Sequence, residues 1–479
     1  MRQDLGEIKK VLDKHGYAIN TIICEVMKKF KFKTLCHKVG VIIKSSGYNE
    51  VEIITLLAIF PLMVLKSVHS LYKSQYATLA EMKKDVIYRL QNNEKMPWRR
   101  LLYEVCKKYK ELTDKGTEIA PNSAFIIDDT IHCKEGTRIE NVSIVHDHAS
   151  GKDVYKLGFK DMFLGLFDGK SIIPLDFSIH AEKQLAPNKR RKQFKKLCDA
   201  RSNGGKRRKE CKEKKNKNAL IMIKRAIKNG FMARYVLMDS WYSSLEVIKA
   251  IREIKNGIIH VVCGIKRDFR KYEYKGYKLN AKEIIVRQRQ EGKEKRCRRW
   301  NTRYFEVVVN YPGIGNVKLY ICRFPYQKEW RMFLSTNTAL SFIEMMEQYA
   351  IRWTIEVFFK EAKQYLLLEK CQSRDFDAQI ATITIKCILY VYLSYYRRIN
   401  AYETLGELFS VIKDELCEKN LAQRIWELFD ELLQVVINAI TKSGTVDIKR
   451  FKQSREYQYL KGLFETSFLS NQILGVNST

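Results

Sequence analysis

Residues 124–130 have the sequence AFIIDDT, a short apolar run that ends at two aspartates, Asp128 and Asp129. Consecutive apolar residues of this kind predict a buried β-strand. A second run, Tyr235–Met238, ends in the same way at Asp239. Open α/β sheets place functional sites at the carboxyl ends of such strands. We therefore predict that Asp129 and Asp239 lie at strand ends where a site can form, although a surface turn is the ordinary interpretation of one such aspartate alone.

The sequence around these two runs alternates between strand-like and helical patterns. Further strands are predicted at 143–145, 162–167, 171–179, 258–263, 304–309 and 317–322, and helices at 219–228 and 245–254. Asp168-Gly169-Lys170 is typical of a hairpin turn between two of the strands. This alternation predicts an α/β core.

The overall charge favours a polyanionic partner. Lys and Arg total 87 against 54 Asp and Glu, a net charge of +33. Such a surplus favours nucleic acid, because phosphate neutralisation releases counterions. The 12 cysteines form no C-x-x-C pair, which indicates reduced thiols and a cytoplasmic protein rather than a zinc ribbon. The longest apolar stretch that we identify, 53–65, is too short to span a bilayer, so we expect no membrane association.

Two segments concentrate the positive charge. Residues 189–217 carry 15 basic and 3 acidic side chains, a net charge of +12, and include Gly204-Gly205. We expect a mobile loop there, since no packed core fits this composition. Residues 266–303 carry 15 basic and 5 acidic side chains with interleaved aromatics, a net charge of +10. We expect both segments to contact DNA backbone rather than bases.

A third carboxylate lies on a predicted helix of about 343–368. At about 100° per residue, Tyr349, Arg352, Glu356 and Lys363 fall within roughly 60° of one another and form one polar stripe beside an apolar face. From spacing alone, an ordinary amphipathic helix with i,i+4 ion pairs explains this stripe.

The stripe gains meaning from a resemblance. Its spacing, Tyr349-x2-Arg352-x3-Glu356-x6-Lys363, matches the Y-R-E-K signature of a large family of bacterial insertion-sequence DDE transposases. Residues 127–130 (IDDT) resemble the first aspartate motif of that family, and residues 236–242 (VLMDSWY) resemble the second. The resemblance covers about 125–395.

The family implies an RNase H-like core with a β-rich insertion between the second aspartate and the glutamate. It implies that Asp129, Asp239 and Glu356 are catalytic and bind two Mg²⁺ ions, with Mn²⁺ as a substitute. Mg²⁺ prefers carboxylate oxygens, and two ions serve an in-line phosphoryl transfer. The resemblance also implies that DNA is gripped by Tyr349, Arg352 and Lys363.

Several alternatives stay open. Adjacent strand residues point to opposite faces, so Asp128 and Asp129 are not both expected to face the site. Asp129 is preferred because it precedes Thr130, and Asp128 is the alternative. Trp300, in the basic insertion, is a candidate for stacking a flipped base, as related enzymes use an aromatic there; the other candidates are Trp241 and Trp330. A metal site at His132, His146 and His148 is less expected than an ordinary structural role.

The predicted organisation has five parts: a helical, DNA-binding region at 1–120, a first core part at 121–264 with the basic loop 189–217, a β-rich basic insertion at 265–335, a second core part with the signature helix at 336–400, and a helical region at 401–479. The predicted function is a transposase that acts on double-stranded DNA, as a homodimer by family resemblance, in a bacterial cytoplasm at the nucleoid. The alternatives are a hydrolysis-only RNase H-like nuclease and a catalytically inactive, domesticated DNA-binding protein.

Overall fold

The centre of the fold is a parallel ladder of three strands. In the computed structural model, β1 (Ala124–Cys133) pairs in parallel with β5 (Tyr235–Met238), and β5 pairs in parallel with β6 (His260–Ile265). Every residue of β5 is buried. The apolar runs of the sequence thus form the interior strands that their composition predicts.

The structure describes residues 21–41, 48–74, 82–114, 119–148, 150–151, 154–325, 327, 329–414, 453–455 and 458. One compact unit comprises Asn20–Lys413, and a second comprises Met1–Ile19 with Asp414–Thr479. The helical patterns predicted before residue 21, and nearly all of those after 414, lie outside the described residues.

All the strands found in the described residues belong to one mixed sheet. The remaining strands are β2 (Ser143–His146), β3 (Tyr155–Phe167), β4 (Ile172–His180), β7 (Tyr272–Tyr274), β8 (Tyr277–Leu279), β9 (Lys295–Cys297), β10 (Thr302–Tyr311), β11 (Gly315–Arg323) and β12 (Arg331–Ser335). The order is β2-β3-β1-β5-β6-β12-β11-β10-β7-β8, with β4 on β3 and β9 on β10. Antiparallel β3 and β4 beside the parallel β1, β5 and β6 give a mixed α/β fold.

Helices cover this sheet and precede it. They are α1 (Thr21–Lys29), α2 (Phe32–Val39), α3 (Glu50–Ile59), α4 (Val68–Tyr72), α5 (Lys84–Gln91), α6 (Trp98–Thr113), α7 (Pro187–Arg191), α8 (Asn203–Lys212), α9 (Lys215–Lys228), α10 (Leu245–Glu253), α11 (Ala281–Gln290), α12 (Phe342–Ala350), α13 (Trp353–Gln364) and α14 (Phe376–Ile399). In the described part of the chain, α14 alone has the length and hydropathy of a membrane span, and 94% of its apolar window is buried inside the protein. It packs against α3, α5 and α6, as a core helix does.

The predicted long helix at 343–368 is wrong in one respect, because it is two helices. Tyr349 lies near the end of α12, and Arg352 is the residue that precedes α13. At this junction the Arg352 N–H donates to the Tyr349 carbonyl, and the Ile355 N–H donates to the Arg352 carbonyl. In each bond the acceptor lies three residues before the donor. This tighter bonding replaces the α-helical pattern, so the four signature residues do not share one continuous helix face.

The predicted mobile loop at 189–217 is also wrong, because the segment contains α7, α8 and the start of α9. Arg208 of α8 makes ion pairs with Glu140 and Asp377, both nearly buried. A Cβ at Gly204 would lie 2.2 Å from Asp377 Oδ1, so this glycine permits close packing. Because buried carboxylates neutralise part of the charge, a segment of this composition can fold against the core.

Candidate active site

The two aspartate motifs meet where the parallel ladder ends. The last pair of the β1–β5 ladder is Ile127 with Met238, and Asp128 and Asp239 are the next residues of each strand. The prediction that Asp129 lies at a strand end needs correction, since β1 continues to Cys133 through its pairing with β3. The aspartates instead mark the end of the ladder between β1 and β5.

A guanidinium joins the first motif to the signature glutamate. Arg352 Nη1 donates to Asp128 Oδ2 at 2.7 Å, and its Nη2 donates to Glu356 Oε1 at 2.7 Å. The Arg352 side chain is 14% exposed, so these charge-assisted bonds are largely shielded from water. One arginine therefore bridges carboxylates 228 positions apart in sequence.

Asp129 has a separate set of partners. Lys215 Nζ donates to Asp129 Oδ2 at 2.8 Å, and the Tyr242 hydroxyl donates to the same oxygen at 2.6 Å. This difference follows the alternation of side chains along β1. Both aspartates nevertheless line one cavity.

The pKa values of the two aspartates shift in opposite directions. Burial raises the pKa of Asp128 to about 7 against the lowering effect of Arg352, and the negative charges of Asp129 and Asp239 raise it further. Burial alone would raise the pKa of Asp129 as well, but Lys215 and Tyr242 hold it below the ordinary value. Of the two, Asp128 is thus the carboxyl with insufficient positive charge around it.

One cavity collects these groups. Its lining residues are Asp128, Asp129, Asp239, Arg352, Glu356, Phe359, Lys360 and Lys363. The donor set is oxygen-rich, which fits Mg²⁺. Within the residues that the structure describes, however, no group of three His, Cys, Asp or Glu side chains is arranged so that it could hold a metal ion. Arg352 lies between two of the carboxyls and neutralises part of their charge.

The remaining signature residues flank the cavity. Lys363 lines it and donates from Nζ to the Ile131 carbonyl at 2.9 Å. The Tyr349 ring lies 5.5 Å from the Arg352 guanidinium, and burial raises the pKa of its hydroxyl to about 12. Tyr349 therefore contacts the Arg352 guanidinium but does not itself line the cavity.

The aromatic candidates occupy different environments. Trp300 lies in the turn between β9 and β10 and packs edge-on against Phe342, outside the set that lines the cavity. Trp330 is buried and packs against Phe305. Trp241, two residues after Asp239, is 58% exposed. Among these tryptophans, Trp241 thus combines exposure with closeness in sequence to a cavity carboxylate.

The histidines have ordinary partners. His132 is buried and hydrogen-bonds through Nδ1 to Asp161 Oδ2 at 2.8 Å. His146 and His148 contact one another, and His148 also packs on the Trp241 ring at 4.9 Å. These contacts show side chains engaged in packing and hydrogen bonding.

Three cavity or near-cavity groups were not identified from the sequence. In the sequence, Lys215 is one of many basic residues in a charge run, Tyr242 is part of the second aspartate motif, and Lys360 follows no distinctive pattern. Tyr242 offered a signal, since a tyrosine three residues after a strand-end aspartate can return toward the same edge. Lys215 and Lys360 carry no local signal that separates them from their basic neighbours.

Part of the chain is similar to a known protein family. Residues 188–392 match a family model described as a transposase DDE domain. The matched segment contains Asp239 and the whole Tyr349–Lys363 signature, whereas Asp128 and Asp129 precede it. No curated protein matches the chain significantly. Within residues 188–392 the chain is thus similar to transposase DDE domains.

Proposed function

We propose that this protein is a DNA transposase that cleaves the ends of an insertion sequence and joins the resulting 3′-hydroxyl ends to target DNA. The observation that carries the proposal is the shared cavity, in which carboxylates from β1, from the end of β5 and from α13 stand beside Arg352 and Lys363. The chemistry that a bound pair of Mg²⁺ ions supplies is activation of the attacking oxygen and stabilisation of the leaving one.

We assign Asp128, Asp239 and Glu356 as the metal ligands. Asp129 was preferred on sequence grounds, but its carboxylate already accepts from Lys215 and Tyr242. Asp128 instead shares Arg352 with Glu356 and has a pKa raised to about 7, so a cation would relieve its unfavourable burial. Under this assignment Asp129 positions Lys215 and Tyr242 at the edge of the site.

Arg352 has two roles in this proposal. Without DNA, its guanidinium neutralises Asp128 and Glu356. When cations neutralise these carboxylates, Arg352 is free to donate two parallel hydrogen bonds to a DNA phosphate. Lys360 and Lys363 line the same cavity and supply further positive charge for the phosphate backbone. Water as the nucleophile gives end cleavage, and a DNA 3′-hydroxyl gives strand transfer.

The partner in this proposal is double-stranded DNA, bound at the transposon ends and at the target. The net charge of +33 supports a polyanionic partner. A homodimer that holds two ends together is proposed from the family resemblance. The basic, aromatic-rich region with β7 to β11 is proposed as the insertion that contacts the DNA flank, with Trp300 as a DNA-facing residue.

A protein-cleavage experiment tests the metal assignment without depending on DNA chemistry. Fe²⁺ bound in place of Mg²⁺ generates hydroxyl radicals with ascorbate and peroxide, and these cut the backbone beside the ion. We expect cuts in the wild-type protein near 128, 239 and 356, and competition by excess Mg²⁺. Cuts in only one of these segments would disprove the shared site.

Asp128→Asn and Asp129→Asn form a matched pair for this experiment, because they make the same chemical change on adjacent residues. We expect Asp128→Asn to abolish the cuts and Asp129→Asn to leave them at all three positions. The reverse result would return the ligand role to Asp129. Circular dichroism of both variants controls for folding.

A further inference from the structure

A second cavity lies away from the acidic site. It has a volume of about 580 Å³ and is lined by residues of α3, by residues next to α4, by the segment after α13 and by one face of α14. Its polar lining includes Lys66, Ser67, Lys370, Ser373 and Lys386. None of the carboxylates assigned to catalysis contributes to it.

Lys386 is the unusual residue of this cavity. It lies in the middle of the core helix α14 and is only 6% exposed. Among the residues that the structure describes, its ammonium group has no hydrogen-bond or ion-pair partner. Lys134, which is 5% exposed, shows the ordinary solution: its ammonium group contacts His132 Nε2, the Cys371 carbonyl and Gln379 Oε1.

An unpartnered ammonium is unfavourable in such a place. Burial of a charged group without compensation costs several kcal/mol, so buried lysines are normally paired. Burial lowers the pKa of Lys386 to about 7, so this side chain is only partly protonated near neutral pH. An anion in the cavity would hold the charged form.

The rest of the lining has the same preference. Lys66 and Lys370 are exposed at the cavity and add two positive charges, against one carboxylate, Glu135. The hydroxyl of Ser373 can donate a hydrogen bond to an oxygen atom. Three lysines and a hydroxyl donor around a cavity of this size suit an oxyanion with several acceptor oxygens.

We propose that this cavity is a binding site for a phosphate-type oxyanion, with Lys386 as its innermost ligand and Lys66 and Lys370 at its mouth. The phosphate group comes either from a free inorganic or nucleotide phosphate or from the backbone of bound DNA. A bound oxyanion would contact both the helices that precede the core and the segment that follows the signature helix α13. The site is independent of the catalytic proposal, because it shares none of the residues that line the acidic cavity.

Site-resolved acylation of lysines tests this proposal on the full-length protein. The protein is treated at pH 7 with an amine-acylating reagent, and each lysine is quantified by peptide mass spectrometry, with chloride or inorganic phosphate at equal ionic strength. We expect saturating phosphate to reduce acylation of Lys386 at least about fivefold, as for a site that is more than four-fifths occupied. Lys224, exposed on α9, is the control and should change less than about twofold in the same measurement.

A DNA arm identifies the source of the phosphate. Protection of Lys386 by duplex DNA without free phosphate assigns the site to backbone phosphate, and protection by inorganic phosphate alone assigns it to a free anion. The proposal is overturned if neither protects Lys386, if phosphate protects Lys224 equally, or if Lys386 is not acylated in chloride, since the cavity must admit solutes.

A variant pair gives an independent measurement. Lys386→Met keeps the side-chain volume and removes the charge, and Lys224→Met makes the same change on the surface. We expect phosphate to raise the thermal midpoint of the wild-type protein and of Lys224→Met, and to raise that of Lys386→Met by less than about half as much. An equal shift in all three proteins would overturn the proposal while leaving the proposed transposase activity untouched.

Discussion

The substitution Arg208→Met tests whether the basic segment 189–217 is part of the folded core. Arg208 Nε and Nη2 each donate to Glu140 at 2.8 Å, and Nη1 donates to Asp377 Oδ1 at 2.9 Å. The Arg208 side chain is 12% exposed and Asp377 is 2% exposed. Burial alone would lower the pKa of Arg208, but the hydrogen bonds that it donates to these two carboxylates raise the pKa above its ordinary value. Methionine retains most of the volume and leaves both carboxylates without this partner.

The expected cost follows from which partners remain. Removal of one member of a buried ion pair costs about 3–5 kcal/mol. Lys196 Nζ still contacts Asp377 Oδ2 at 2.8 Å, which favours the lower end of this range. Glu140 retains a backbone hydrogen bond from Phe376 N at 3.2 Å. A loss of about 3 kcal/mol corresponds to roughly a hundredfold faster amide exchange where the opening reaction includes α8.

Hydrogen exchange monitored by mass spectrometry measures the loss of stability separately in each segment. A local measurement is needed because a chain of this size need not unfold in two states. We expect faster exchange in α8 and in the first turns of α14, with nonspecific DNA affinity changed little. Arg191→Met, on an exposed position of α7, is the matched control and should leave exchange unaltered. If Arg208→Met leaves exchange unaltered but weakens DNA binding, then Arg208 is a DNA contact and the packing argument is refuted.

Three further predictions concern charge at other sites. Burial alone would raise the pKa of Asp176, but Arg99, Arg225 and Arg207 hold it below its ordinary value, so its contribution to stability is present above about pH 4 and is lost as pH falls further. Denaturation curves from pH 3 to 7 should therefore show a smaller acid-induced loss of stability in Asp176→Asn than in the wild type; equal losses would contradict this. Arg352→Lys keeps the charge but not the guanidinium fork, so DNA cleavage rates should fall about tenfold or more, and unchanged rates would argue against a two-pronged phosphate contact. Replacing the exposed Lys278, Lys282 and Arg298 together by glutamine should reduce the slope of log affinity against log salt by up to about 0.9 per residue, and an unaltered slope would show that this surface does not bind DNA.

The central strands were predictable because their sequences are locally decisive. Tyr235–Met238 is a short, fully apolar run and forms β5 with the predicted bounds. The hairpin turn at Asp168-Gly169-Lys170 also forms as predicted, with Gly169 at φ 100° and the Lys170 N–H bonded to Asp168 Oδ1. In both places short-range sequence determines the backbone conformation.

The wrong prediction at 189–217 and the open choice between Asp128 and Asp129 share a physical cause, since each depends on a partner distant in sequence. The segment 189–217 has a composition typical of a loop, and only the meeting of Arg208 with Glu140 and Asp377 makes it part of the core. The choice between Asp128 and Asp129 likewise depends on which face of β1 meets Arg352. Local patterns contain no information about either encounter.

The signature residues were located by resemblance rather than by periodicity. Helical spacing alone placed Tyr349 and Arg352 on one stripe with Glu356, whereas the chain turns between Tyr349 and Arg352. The grouping of Arg352, Glu356 and Lys363 around one cavity therefore reflects the fold around α13 as well as the repeat of the helix. Periodicity identified residues on a shared face but not the break that reorients them.

The most direct test of the proposed function is a reaction with the DNA that flanks the gene. Purified protein is incubated with Mg²⁺ and labelled duplexes that carry the two gene-flanking ends, together with a supercoiled target plasmid. We predict nicks at the element boundaries and covalent joining of the 3′ ends to the plasmid, both absent in EDTA and in Asp239→Asn that still binds DNA. Cleavage that persists in Asp239→Asn, or the absence of cleavage and joining by a folded, DNA-binding wild-type protein, would contradict the proposal.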